Sequence, residues 1–361
     1  MLKRLTAISS ILAIVLPNAA AIAGDAACSC RHLESIQQDL KNAEALRKIQ
    51  QEISEKLDAI EAPLIEAKKR PTHPDSDVNI YARSIRERNQ IMSGFRLPYP
   101  EVKGYTGPDS VNMPFGTCEQ PEKALDDLRV GSPCRELAEI ALAHESGHRA
   151  ECQKEGAAEY WKRLPSKMAA EEVVRYTEQI AALRNLLKKV LDEGEMIVEA
   201  RMEPRIKAPQ FDVTYSYQTG PITLKGKSSP ASDQWALNGK GIQVARIGKM
   251  RVAGMTCTST GQLNTDIDLT MRTDGLTMAL TGKSRSAPGD VRVQCRGGHG
   301  MSMRPQQEVG GGAYFSDQEV RAEATLSRDI QSMDFGKILS QGGLSVTGTE
   351  TVKVKLICPG D

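Results

Sequence analysis

The chain has 361 residues, which is enough for two domains. Its 47 basic and 46 acidic side chains leave a formal net charge of +1, so no global field selects a nucleic acid or a membrane surface as partner. Aromatic residues make up 4% of the chain, which argues against a base-stacking platform and for cores built from aliphatic side chains. We therefore expect no nucleic-acid partner.

The first 23 residues are typical of a secretory signal peptide. Lys3 and Arg4 supply the positive start, residues 5–16 are the apolar segment, and residues 21–23 form a small-x-small cleavage site. The apolar segment is short for a membrane span, although an uncleaved anchor is the alternative. We expect a mature chain that starts near Gly24, is periplasmic or secreted, and has no stable membrane insertion after cleavage.

Residues 24–70 are predicted to form a long helical arm. Apolar side chains recur at steps of three or four from Leu33 to Ile60, with polar residues between them, and nothing breaks the helix before Pro63. The pattern suits an antiparallel helical hairpin or a coiled-coil pair. A helix packed on its own domain is favoured over a dimerisation arm.

Residues 71–203 are predicted to form a second helical unit around the sequence His144-Glu145-Ser146-Gly147-His148. Ser132 can cap this helix, Pro133 suits its first position, and the two histidines fall on the buried stripe. Two imidazoles four residues apart can bind one metal ion from the same side, and the glutamate beside the first can reach a metal-bound water. The alternative is an ordinary helix that binds no metal.

A third ligand is predicted on the next helix, which begins at Ser166 and is expected to continue to about Glu199. Glu172 lies near the buried face of that helix and one turn before Tyr176, so the two side chains point the same way. Glu172 is the preferred ligand and Glu171 is the reserve. A glutamate at this place can also serve only as favourable charge at a helix N-terminus.

Taken together, the motif helix and the later Glu-x-x-x-Tyr helix resemble the gluzincin class of zinc metallopeptidases, over roughly residues 105–190. The resemblance implies a zincin-like domain in which His144, His148 and Glu172 bind Zn²⁺ and Glu145 is the general base. The chain departs from the better-known gluzincins because no Asn-Glu-x-x-Ser-Asp pattern surrounds Glu172.

Residues 210–361 are predicted to be a β-rich domain. Prolines 204 and 209 mark the expected boundary, and short alternating runs follow, separated by Gly, Ser, Pro and Asp. The expected fold class is α+β, with an N-terminal, mainly helical, zincin-like domain followed by a C-terminal antiparallel β-sandwich-like domain.

Eight cysteines follow the signal segment, and an even number in an exported chain favours disulfides. Cys134 and Cys152 cannot pair if the motif helix is continuous, because they lie about 27 Å apart along it. Cys118 can reach either one, and Cys152 is slightly favoured.

The remaining cysteines are predicted to pair across the chain. Cys257 and Cys295 lie in neighbouring β-type segments, and Cys358 would pair with a cysteine from the N-terminal half. Cys28 and Cys30 form a C-x-C sequence that is either redox-active or structural, and a structural role is favoured.

Two functional hypotheses follow. The first is an exported zinc metallopeptidase that hydrolyses a peptide or protein substrate, with Glu145 as general base and Tyr176 as the candidate donor to the oxyanion; a toxin or a peptidoglycan-directed hydrolase would share this chemistry. The second is a non-catalytic envelope or secretion-associated scaffold with a structural or absent metal. Its envelope partner would bind through the helical arm or the β domain.

Overall fold

The computed structural model describes residues 26–69, 132–160, 163, 165–226, 234–286, 291–296, 300–303, 312–330 and 345–359. The helices are α1 (Leu33–Lys69), α2 (Arg135–Glu155), α3 (Ala157–Tyr160) and α4 (Pro165–Glu193). The strands are β1 (Glu195–Ala208), β2 (Phe211–Thr219), β3 (Ile222–Leu224), β4 (Trp235–Val252), β5 (Met255–Gly261), β6 (Leu263–Thr273), β7 (Thr277–Ser286), β8 (Val291–Cys295), β9 (Gly300–Met303), β10 (Gly312–Glu319), β11 (Glu323–Asp329) and β12 (Ser345–Ile357).

All strands of the described residues belong to one hydrogen-bonded antiparallel sheet. Its main path runs β10-β7-β6-β4-β2-β1-β12-β11; β3 pairs with β1, and β5, β8 and β9 extend from β4. The mixed class of helices with an antiparallel sheet is therefore confirmed. The sandwich-like arrangement is not confirmed, because the described strands form one sheet rather than two.

One core joins the helices to a face of the sheet. Helix α4 contributes Leu183, Leu187 and Val190, and the alternate residues of β1 and β12 meet them from the sheet. The members from β12 are Val352, Val354 and Leu356. Because helical and strand residues share this core, the predicted separation into two domains is not confirmed.

The predicted boundary after the helical half falls inside the sheet. Helix α4 ends at Glu193 instead of continuing to about Glu199, and β1 runs from Glu195 through Pro204 to Ala208. The strand pairs with β12 from Glu195 opposite Ile357 to Lys207 opposite Ser345. This long pairing with a distant segment overrides the helix-favouring residues at the start of β1.

Helix α1 packs on its own protein, as favoured from the sequence. Its first turns bury Leu33, Ile36 and Leu40 in the shared core, and its Gln37 amide donates hydrogen bonds to the carbonyls of Gly275 and Val320 at 2.7 and 3.0 Å. The helix continues past Pro63 to Lys69, because a proline removes one helical hydrogen bond without always ending the helix.

The turn between β6 and β7 fits closely under α4. Gly275 has a φ of 91°, and a Cβ at this position would lie 2.4 Å from Leu187 Cδ2. Glycine is therefore required here for two reasons: the backbone has a positive φ, and there is no space for a side chain.

Three disulfides lie within the described residues. They join Cys28 to Cys134, Cys30 to Cys358, and Cys257 to Cys295, with Cα atoms 5.0, 5.7 and 3.9 Å apart. The last pair and the pairing of Cys358 with a cysteine of the N-terminal half are confirmed. Cys28 and Cys30 pair with distant cysteines and not with each other, which is consistent with the structural role favoured from the sequence. Cys152 is also disulfide-bonded, and its predicted partner, Cys118, lies outside the described residues.

Some predictions concern segments outside the described residues. These are the signal peptide over residues 1–23 and the part of the 71–203 unit that precedes residue 132. Among the described helices, none has the length and apolar character that a membrane crossing needs.

Candidate metal centre

The motif helix α2 lies along α4, and the two run antiparallel. Glu136 near the start of α2 meets Lys189 near the end of α4 at 3.0 Å, while His148 lies opposite Glu171. Both motif histidines are buried, as predicted, at 8% and 6% exposure.

The predicted start of the motif helix is wrong by two residues. Helix α2 begins at Arg135 after Cys134, which has an extended backbone and makes no side-chain cap bond, so neither Ser132 nor Pro133 has its predicted role. The Cys28–Cys134 disulfide and the Arg135 N–H, which donates to the Ala26 carbonyl at 2.8 Å, fix this first turn instead.

The three predicted ligands converge on one point. The Nε2 atoms of His144 and His148 lie 3.3 Å apart. One oxygen of Glu172 lies 3.3 Å from His144 Nε2, and the other lies 3.3 Å from His148 Nε2. One donor atom from each residue therefore lies within 4.8 Å of the others, and the group could hold a metal ion.

The spacing of these atoms fits shared metal ligands better than a hydrogen-bonded network. Ligand bonds of about 2.0–2.1 Å in a tetrahedral arrangement place any two ligand atoms about 3.3 Å apart. A charge-assisted hydrogen bond is shorter, at about 2.7–2.9 Å. In addition, Glu172 Oε2 is buried and accepts no hydrogen bond from the described residues, which leaves it available to an ion.

The protonation states of His148 and Glu172 depend on the charged groups around them. Burial disfavours the protonated imidazole of His148, but its hydrogen bonds to Glu171 and Glu172 outweigh burial and raise its pKa to about 10. Burial likewise disfavours the Glu172 carboxylate, yet its contacts with both histidines lower its pKa to about 2. The carboxylate is therefore ionised across the ordinary pH range, as a metal ligand must be.

The two predicted catalytic residues flank the cluster. Glu145 is half-buried, and burial raises its pKa although His144 and His148 act in the opposite direction. The ring of Tyr176 packs on His144 with centroids 4.6 Å apart, and it also contacts the shared core. Both residues therefore belong to the site environment, and Tyr176 has a packing role there.

Glu171, the reserve ligand, occupies a different place. Its Oε1 lies 2.9 Å from His148 Nδ1, the ring nitrogen on the side away from the ligand cluster. Its Oε2 accepts a hydrogen bond from Arg163, and the Tyr160 hydroxyl donates to Oε1 at 3.4 Å. The sequence analysis did not single out Arg163 or Tyr160, because no motif marks them; both lie in the connection between α2 and α4.

Gly147 of the motif leaves space for the side chain of Arg175 on α4. A Cβ at this position would lie 2.6 Å from Cδ and Nε of Arg175, whose side chain crosses α2 at this point. Arg175 is 15% exposed and pairs with Glu178 at 2.9 Å. The glycine therefore leaves room for the Arg175 side chain between the two helices that supply the ligands.

Comparisons of the chain with protein-family models, with curated proteins and with solved structures gave no match.

Proposed function

We propose that the chain is an exported, zinc-dependent metallopeptidase that hydrolyses a peptide or protein substrate. The observation that carries the proposal is the convergence of His144, His148 and Glu172: the two Nε2 atoms lie 3.3 Å apart, and each lies 3.3 Å from a different oxygen of the Glu172 carboxylate. Two imidazoles and one carboxylate form a ligand set used by catalytic zinc, with a fourth position left for water or substrate. The gluzincin-like order of motif helix and glutamate helix supports the same assignment.

In this proposal each side chain has a defined task. The histidines and Glu172 hold the ion, which when bound would supply Lewis acidity and a water of lowered pKa. Glu145 takes a proton from the attacking water and returns it to the leaving amine. Tyr176, next to His144, is the proposed donor to the oxyanion.

Export is part of the proposal. The signal-like first 23 residues and the disulfides favour an oxidising compartment, either the periplasm or the exterior.

The test combines metal analysis with the Glu145→Gln variant. The oxidised mature protein is expected to bind one equivalent of zinc, and Glu145→Gln is expected to keep the zinc while cleaving a peptide library about 100- to 10,000-fold more slowly. Glu139→Gln is the matched control, because Glu139 lies on the same helix, is 59% exposed and contacts only Arg135 among the described residues, at 3.6 Å. Equal cleavage by wild type and Glu145→Gln, or less than about half an equivalent of zinc, would contradict the proposal.

A scaffold with a structural metal is the second candidate. It is favoured by the 7% exposure of both imidazole side chains and by the position of the cluster between α2 and α4, where an ion would join two helices. This candidate predicts stoichiometric zinc, a lower unfolding temperature after metal removal, and no hydrolysis by wild type.

A further inference from the structure

The Glu171 carboxylate is held from three sides. Oε1 lies 2.9 Å from His148 Nδ1 and 3.4 Å from the Tyr160 hydroxyl, and Oε2 contacts the Arg163 guanidinium. The side chain is 9% exposed. These contacts hold the carboxylate with Oε1 directed at Nδ1 of His148.

This contact determines which nitrogen of His148 carries the proton. An ionised carboxylate can only accept a hydrogen bond, so Nδ1 must be the donor. In the neutral imidazole, Nε2 then presents its lone pair. Nε2 is the atom that lies 3.3 Å from His144 Nε2 and from Glu172.

The two histidines differ in this respect. His144 Nδ1 is buried and has no hydrogen-bond partner among the described residues. The Tyr176 ring packs on the His144 ring, and the charged neighbour of His144 is Glu172 at Nε2. His148 is therefore the imidazole that has a charged neighbour at Nδ1.

Arg163 keeps Glu171 in place and joins it to the end of α2. Its guanidinium also contacts Glu155 at 2.5 Å and Glu151 at 3.5 Å, both on the last turns of that helix. Arg163, in the connection between α2 and α4, therefore links Glu171 to the C-terminal end of α2.

We propose that Glu171 is a positioning residue that orients His148 and sets its Nδ1–H tautomer, with Arg163 as its support; the inference rests on the proposed metal site. A carboxylate behind a ligating histidine raises the basicity of the ligand and fixes its ring. Glu171 acts through His148 and is not itself a ligand.

The experiment compares the zinc affinity of Glu171→Gln with that of Glu178→Gln, by competition against a chromophoric chelator. Glutamine keeps the shape of residue 171 and loses its charge, so zinc binding is expected to weaken about 10- to 100-fold. Glu178 lies on the same helix, pairs with Arg175 and is 61% exposed, so its variant should stay within about twofold of wild type. Equal affinities of wild type and Glu171→Gln, or an equal loss in Glu178→Gln, would overturn the inference.

A second measurement uses the unaltered protein, in case Glu171→Gln does not fold. Long-range ¹H–¹⁵N NMR of the zinc-loaded protein with labelled histidine should show His148 protonated at Nδ1 and coordinated through Nε2. Coordination through Nδ1 overturns the inference while leaving zinc binding intact. If the oxidised wild type binds no zinc at all, the proposed function fails as well, and the two failures are thereby told apart.

Discussion

The two helices that supply the metal ligands are anchored in different ways. Helix α4 buries a row of apolar side chains in the shared core, namely Ile180, Leu183, Leu186, Leu187, Val190 and Leu191. Each such side chain contributes about 1.5–3 kcal/mol when fully buried. Within the described residues, α2 adds one fully buried leucine, Leu137, with Ile140 packed at the edge.

Covalent and polar contacts replace apolar packing in α2. The Cys28–Cys134 disulfide fixes its first turn, and the neighbouring Cys30–Cys358 disulfide joins the same segment to the end of β12. Lys189 and Arg163 add ion pairs at its two ends. The carboxylate ligand therefore lies on a firmly packed helix, whereas both histidines lie on a helix held mainly by cross-links.

Removal of the disulfide at the start of α2 should have the largest effect, because it tests directly whether cross-links hold α2 in place. The Cys28→Ser/Cys134→Ser double variant is expected to lose about 2–4 kcal/mol in free energy of unfolding, measured in urea. It should also bind zinc at least about tenfold more weakly, because α2 carries both histidines and its first turn loses its covalent anchor.

The matched control is Cys257→Ser/Cys295→Ser, which removes a disulfide from the smaller core around Val213 and Met250. This variant should lose a similar free energy of unfolding and keep the zinc affinity of wild type. A similar loss of zinc affinity in both double variants would show that α2 has no special dependence on its disulfide.

The affinity for zinc should fall as the pH falls. The pKa of His148 is raised to about 10 in the metal-free chain, so between about pH 6 and pH 8 its imidazole is protonated and must release that proton to bind. Glu172, with a pKa of about 2, is already ionised and adds no further proton. We expect affinity to drop about tenfold per unit of pH in this window, in buffers that do not bind zinc; a flat profile would contradict the coupling of His148 to its two carboxylates.

Gly147→Ala should produce the smallest effect and tests how closely the Arg175 side chain of α4 packs on α2. The new methyl group would lie 2.6 Å from Arg175, so that side chain must move. Overpacking costs about 1–3 kcal/mol, and the better helix propensity of alanine returns about 1 kcal/mol. We expect the free energy of unfolding, measured by thermal denaturation, to fall by about 1 kcal/mol. No such fall is expected in Gly220→Ala, where no atom lies within 4 Å of the added Cβ.

The features predicted correctly from the sequence are those that depend on local spacing. The i, i+4 pair of histidines on the buried face of α2 and the position of Glu172 toward the cluster follow from helical periodicity. The pairing of Cys257 with Cys295 follows from two adjacent β-type runs.

The features that were missed depend on contacts between distant segments. Strand β1 begins with helix-favouring residues and becomes a strand because it pairs with β12, about 150 residues later. The start of α2 is set by a disulfide to Cys28. Glu171 and Glu172 are neighbours in sequence, and which of them meets Nε2 and which meets Nδ1 depends on how α4 is placed against α2.

X-ray absorption spectroscopy of the zinc-loaded, oxidised protein tests the central claim most directly, because it identifies the atoms bound to the metal. Ligation by His144, His148 and Glu172 predicts two imidazole nitrogens and oxygen neighbours at about 2.0–2.2 Å. A sulfur neighbour at about 2.3 Å, or fewer than two imidazoles per zinc, would contradict it.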